Sequence, residues 1–376
     1  MKNKVAILTQ PLHTNFGGTL QAYALQQVVC SLGCDVTTID YQWKQRTILF
    51  HILAVIKSHI LNREEKFPFF TKEKVAREIN HSSFIIKNIN RSEKIVSEEE
   101  LINNFKKNQY DTVIVGSDQV WRVDYSPNIK NFFLNFLNQS TLKIAYAASF
   151  GIDTWQFNEK QTKEIKKWLK EFKKISVRED TAKKLCKEHL ALDVEHVLDP
   201  TLLLDRGKYE DLIKDILPKN REIFRYVLDD SSEKEAIIGD IQENLNLNTF
   251  ALQPKKIYKT DFFMKNPEDY VYPKIEEWLA AFRDSKFIVT DSFHGTVFSI
   301  IFNKPFISIA NNERGSTRFL SLLKIFNLES RLVTSLDDVK KDLIYQNIDF
   351  DKVNNILNIE REKSLLFLRL ALSNNE

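Results

Sequence analysis

The sequence predicts an α/β protein built from two doubly wound, parallel-sheet domains that face a cleft. Three observations carry this. Short apolar runs at 5–8, 112–115, 143–148 and 174–177 each end in polar residues and alternate with helix-patterned stretches, as expected of parallel strands covered on both faces. After Asp199-Pro200 a second strand-helix series begins. The chain has 376 residues, enough for about two domains. The expected division is 1–205 for the first domain, with a helical insertion at 44–108. Residues 206–345 would form the second domain, and 346–376 a C-terminal helix packing back on the first.

Residues 5–8 read as a buried strand. Gly17-Gly18 follow, then a helix over about 19–32, stopped by Gly33. This β-loop-α unit lacks the full Gly-x-Gly-x-x-Gly fingerprint, but paired glycines at a helix start suit an anionic ligand. Residues 44–108 are basic and helical in pattern, without glycine. Within them, 48–60 are apolar enough for an exposed helix that touches a membrane surface or a partner, although a helix packed on its own domain is the plainer expectation. Further strands are expected at 36–40, 194–197, 223–228, 249–252 and 306–309, with helices at about 158–172, 181–190, 233–245, 274–282, 316–326 and 352–372.

The most informative stretch is Phe287-Ile-Val-Thr-Asp-Ser-Phe-His-Gly-Thr-Val-Phe-Ser-Ile-Ile-Phe-Asn-Lys-Pro305. It reads as a strand, a polar turn and a helix over 296–302. It places Asp291 three residues before His294, where ligands bind in open α/β sheets. Asp with His suits acid/base chemistry. The plain alternative is a capped turn with a locally satisfied His.

Composition narrows the classes. Hydrophobic residues make up 43% and charged residues 28%, as in ordinary globular proteins. A net charge of +3 gives no argument for nucleic acid. Cys30, Cys34 and Cys186 have no metal-ligand spacing, so no metal is expected, and so few cysteines fit a reducing cytoplasm. The start carries no signal-peptide pattern, and no run approaches the roughly 18 apolar residues that span a bilayer.

Collected at strand ends, the candidate ligand groups are Asn15, Gly17, Gly18, Gln21, Ser117, Asp118, Gln119, Ser149, Arg178, Ser292, Gly295, Arg314 and Arg318, with Asp291 and His294 as the acid/base pair. Arginines and helix N-termini favour a phosphate or carboxylate. Taken alone, Arg178-Glu179 reads equally well as a surface ion pair.

Six segments resemble the polysaccharide pyruvyl transferase family. They are Asn15-Phe-Gly-Gly-Thr-Leu-Gln-Ala-Tyr-Ala-Leu-Gln26, Val115-Gly-Ser-Asp-Gln-Val-Trp121, Ala145-Tyr-Ala-Ala-Ser-Phe-Gly151, Ser176-Val-Arg-Glu179, Leu198-Asp-Pro-Thr-Leu-Leu203 and Thr290-Asp-Ser-Phe-His-Gly295. They occur in family order. The resemblance implies a GT-B-like pair of Rossmann-like domains. It also implies transfer of the enolpyruvyl group of phosphoenolpyruvate, as co-substrate and without a cofactor, to a sugar hydroxyl pair, giving a pyruvate ketal in surface polysaccharide synthesis. His294 would be the general acid, assisted by Asp291, and Arg178 would hold the donor's phosphate or carboxylate. The acceptor would be a sugar or oligosaccharide; a lipid-linked one would bring a cytoplasmic chain to the inner face of the membrane. Some branches carry Arg-Leu-His where this chain has Ser292-Phe293-His294, so either Arg314, Arg318 or Arg122 stands in or this branch handles a different donor. The rivals are a nucleotide-sugar-dependent glycosyltransferase of the same fold and a catalytically silent scaffold.

Overall fold

A computed structural model describes residues 2–44, 71–255, 267–310 and 315–373. The expected helix at 48–60 and Arg314 lie outside the described residues.

The first sheet contains β1 (Lys4–Leu8), β2 (Asp35–Thr38), β3 (Thr112–Asp118), β4 (Leu142–Ala148), β5 (Lys174–Val177) and β6 (Glu195–His196), in the order β2-β1-β3-β4-β5-β6, with every pairing parallel. The second contains β7 (Arg221–Tyr226), β8 (Thr249–Phe250), β9 (Ser285–Thr290), β10 (Phe306–Ile309) and β11 (Leu332–Val333), ordered β11-β10-β9-β7-β8 and again all parallel. In each sheet the first strand in sequence has its successors on both sides. That reversal opens a crevice at the carboxyl ends, between β1 and β3 and between β7 and β9.

Two helices place the site. Helix α1 (Phe16–Ser31) follows β1, and Asn15 caps it by accepting the Gly18 N–H at 3.0 Å. The helix therefore starts earlier than Gly17-Gly18 alone suggest, and both glycines lie in its first turn. Helix α2 (Thr71–Asn88) and α3 (Glu98–Asn108) belong to the basic insertion; α2 reaches the second unit, where Asn80 donates to the Tyr272 carbonyl at 2.9 Å. Helix α4 (Glu159–Leu169) and α5 (Asp180–Leu185) flank β5. In the second unit, α6 (Arg206–Leu212), α7 (Ser232–Leu245) and α8 (Ile275–Asp284) precede α9 (Phe293–Ile301), which is buried along its whole length. Because α9 begins at Phe293, His294 stands in its first turn rather than in the loop before it. Helix α10 (Thr317–Ile325) and α11 (Lys341–Tyr345) lead to the last helix, α12 (Phe350–Leu372). There the Ser364 hydroxyl accepts the Leu198 N–H at 3.0 Å and Arg361 donates to the Leu202 carbonyl at 2.9 Å, which ties the chain's end to the first unit.

One apolar cluster runs from Val5 and Leu20 through Phe224 and Trp278 to Val297 and Leu368, joining both sheets. Separate clusters back the outer face of each sheet. A continuous apolar seam between units resists sliding more than a polar one would.

Candidate functional site

Three strand ends and a helix start meet between the units. Arg178 follows β5, Asp118 ends β3, Asp199 stands after β6, and His294 lies at the head of α9. The Arg178 guanidinium donates through Nη1 to Asp199 Oδ2 at 2.7 Å and through Nη2 to Asp118 Oδ1 at 3.0 Å. His294 Nε2 lies 3.6 Å from the same Asp199 oxygen, an ion-pair distance longer than a hydrogen bond. The other Asp199 oxygen accepts the Thr201 N–H at 3.0 Å and its hydroxyl at 2.6 Å. Arg178, Asp118, Asp199 and His294 are all buried. Burial alone would raise both carboxyl groups. His294, Arg178 and the Thr201 hydroxyl outweigh it at Asp199 and hold it well below the carboxylate range. At Asp118, Arg178, His294 and Arg318 likewise outweigh burial and lower the carboxyl group from its ordinary value.

Gly17 fixes the other side of the imidazole. A Cβ added there would stand 2.1 Å from His294 Nδ1 and 2.5 Å from its Cβ, so only glycine lets α1 approach. Gly295 serves likewise within its own unit: an added Cβ would meet Thr290 Oγ1 at 2.2 Å. Phe293 lies under two guanidiniums, with Arg178 Cζ 4.4 Å and Arg318 Cζ 5.6 Å from the ring centroid. Burial, then the like charge of Arg178, pull Arg318 down to about 10, with Asp118 and Glu179 acting in the opposite sense. A buried pair of guanidiniums of this kind suits an anion. Of the arginines expected to replace the missing one, Arg318 is beside Phe293, whereas Arg122 lies over Tyr125 and donates to Gln119 Oε1.

Asp291 is not the carboxylate beside the imidazole. It accepts the Leu228 N–H at 2.7 Å, the Asp229 N–H at 3.2 Å and Lys234 Nζ at 2.7 Å, closing the crevice between β7 and β9. Three residues of spacing suggested a pair with His294, but these partners of Asp291 lie after β7 and on α7, and the carboxylate at ion-pair distance from the imidazole is Asp199. Asp199 takes the place expected for Asp291. Its motif was visible in the sequence, yet nothing local marked it as the partner of a His in the other unit.

The remaining candidates divide. Asn15 and Ser292 cap helices, Ser292 accepting the Gly295 N–H at 3.4 Å. Gly18 packs against the Asn15 side chain. Gln21 donates to Thr9 Oγ1 at 2.8 Å and the Gly18 carbonyl at 3.0 Å, while its Oε1 is buried without a partner. The Ser117 hydroxyl donates to the Ala147 carbonyl at 3.1 Å, joining β3 to β4, and Ser149 Oγ accepts the Gly151 N–H at 3.0 Å in the turn after β4. Gln119 is bound through its carbonyl to Gln10 Nε2 at 2.8 Å. Among the described residues no group of three or more His, Cys, Asp or Glu could hold a metal ion, and no helix is long and apolar enough to cross a membrane.

A family model described as polysaccharide pyruvyl transferase matches residues 15–313. No curated protein matches the chain. Among solved structures, TcCGT1 in complex with UDP is similar at 9% identity and a TM-score of 0.50, over 98% of this chain and 99% of that one. UGT71G1 of Medicago truncatula complexed with UDP-glucose aligns at 12% identity and 0.47, over 98% of each chain. A putative UDP-N-acetylglucosamine 2-epimerase of Listeria monocytogenes aligns at 12% and 0.47, over 97% of this chain and 91% of that one. At such identities the likeness concerns the fold, two Rossmann-like domains of GT-B type.

Proposed function

The chain belongs to the polysaccharide pyruvyl transferase family, and from that premise we propose that it transfers the enolpyruvyl group of phosphoenolpyruvate to a pair of sugar hydroxyls, forming a cyclic pyruvate ketal and releasing phosphate. The observation that carries this reading is the His294–Asp199–Arg178 chain of contacts between the two units. In this reading protonated His294 donates to the methylene carbon of the donor, leaving an oxocarbenium-like centre that one hydroxyl attacks. The second hydroxyl then displaces phosphate, so one hydroxyl proton ends in the new methyl group and the other on phosphate. An imidazole suits the first step because its ordinary pKa lies near neutrality. Asp199 lies beside the ring and orients it. Arg318, together with Arg178, would offset the negative charge of the departing phosphate. No cofactor takes part in this scheme, and the acceptor is a sugar or oligosaccharide, lipid-linked or free.

The test is incubation of the purified protein with phosphoenolpyruvate and candidate oligosaccharides. Phosphate release together with a mass gain of one pyruvate ketal is expected. Turnover of a nucleoside diphosphate sugar instead would replace the reading with glycosyl transfer.

A further inference from the structure

The first unit's side of the seam carries more polar groups than its own contacts satisfy. Glu179 follows Arg178 at the end of β5 and is 0% exposed, and neither of its carboxylate oxygens meets a donor among the described residues. Arg178 Nε, Thr181 Oγ1 and Thr317 Oγ1 are likewise buried without partners. These groups share one place. Arg178, Glu179 and Thr181 lie on the turn from β5 into α5. The Asp180 N–H donates to Ser321 Oγ of α10 at 3.0 Å, and Thr317 stands one helical turn before Ser321 on the same face. The Glu179 charge acts on Arg178 and Cys186 of its own unit and on Arg318 of the second. A wholly buried carboxylate without a donor is rare in folded proteins and calls for a specific partner.

The kind of partner follows from the set. A bare anion would be repelled by Glu179. A cation would meet the Arg178 guanidinium. An apolar group would leave every one of these atoms unsatisfied. Groups that donate and accept together satisfy all of them: hydroxyls donate to the two carboxylate oxygens and accept from the guanidinium or the threonines. We propose that the seam formed by Arg178, Glu179, Thr181 and Thr317 binds the hydroxyl groups of the saccharide acceptor, with Glu179 as the group that accepts their hydrogen bonds. The assignment rests on the acceptor class of the proposed reaction. It also gives a role to the rest of Arg178: its Nη1 and Nη2 hold Asp199 and Asp118, while its Nε is left without a partner. A sugar bound there stands one guanidinium away from the imidazole.

The test uses Glu179→Gln, which keeps the shape and removes the charge. Binding of methyl glucoside, methyl galactoside and methyl mannoside is titrated by saturation-transfer NMR, with inorganic phosphate as a separate probe. At least one glycoside is expected to bind the unaltered protein and to bind the variant about 10–100-fold more weakly, the range for a lost charged hydrogen bond. Phosphate affinity should not fall, and the melting temperature should hold or rise. Thr317→Val, which leaves the carboxylate in place, should weaken the same glycoside about fivefold; it decides the matter if Glu179→Gln does not fold. Unchanged glycoside affinity in both variants overturns the proposal, as does failure of the unaltered protein to bind any of the three. Tighter phosphate binding with unaltered glycoside binding would make the seam an anion site and also overturn it. Glycoside binding that depends on Glu179, without consumption of phosphoenolpyruvate, would uphold the seam and remove the pyruvyl-transfer reading. Consumption of phosphoenolpyruvate with glycoside binding indifferent to both variants would do the reverse.

Discussion

Phe16 and Gly17 are adjacent in the first turn of α1, yet they face opposite kinds of contact with the second unit. Phe16 stacks on Trp278 at 5.2 Å, meets Tyr226 at 6.2 Å and packs edge-on to His81 at 4.5 Å. His81 in turn meets Tyr272 at 5.6 Å. Gly17 faces His294 and the charged cluster behind it. The aromatic flank gains from burial and ring geometry, about 0.5–1.5 kcal/mol per pair beyond area. The charged flank is paired only in part, and each unsatisfied buried group costs about 1–3 kcal/mol. The difference separates two tasks: one flank joins the units, and the other is held by them at some cost to stability. Even the titratable group of the aromatic flank behaves as a ring, since burial, then His13, pull His81 down to about 4.

The comparison can be broken most forcefully at Arg178. Replacing it by Met leaves Asp118 and Asp199 buried without their shared cation, which should cost about 3–5 kcal/mol in urea unfolding. The sequence suggested instead that loss of this residue would chiefly weaken donor binding; its burial and two ion pairs make stability the first casualty. A loss under about 1 kcal/mol would mean that the charged flank is not organised around this guanidinium.

The aromatic flank should respond to pH. His81 has a folded value of about 4 against an ordinary 6.5, so the unfolded chain binds its proton more readily. Its contribution is therefore fully present above about 6.5 and falls as pH drops toward about 4, by up to about 3 kcal/mol. His81→Phe should remove this part of the acid sensitivity. Urea midpoints of both proteins above and below this window check the difference, and equal acid losses would refute it.

A smaller effect on folding than that of Arg178 or His81 is expected for Gly17→Ala. Crowding against the imidazole should cost about 1–3 kcal/mol, offset by up to about 1 kcal/mol from the better helix former. Turnover should fall as well, because the ring is displaced from Asp199. A stabilised, fully active variant would show that the close approach carries no function.

The sequence made much of this legible, and the reasons for the rest are physical. Parallel strands announce themselves because both faces are covered, so β1, β3, β4 and β9 read as apolar runs with polar ends. The short strand β11, two residues long, does not. His294 was legible from its motif, but Asp199 was not legible as its partner, because contacts between units leave no local spacing. Asp291 misled for the converse reason: closeness in sequence is not closeness across a helix start. Arg178-Glu179 read equally well as a surface ion pair, and only burial decides against that reading. Asn15 explains the early start of α1, since a capping Asn outweighs the two glycines that follow.

The central claim is that the charged flank is reactive and that His294 is its acid. The direct measurement is kcat, with phosphoenolpyruvate and a saccharide acceptor, together with the melting temperature of one variant, His294→Gln. The account predicts turnover lower by about 10²–10⁴-fold, the range for losing an acid/base group, with the melting temperature nearly unchanged. A clearly lowered melting temperature with normal kcat would contradict it and make His294 a structural residue.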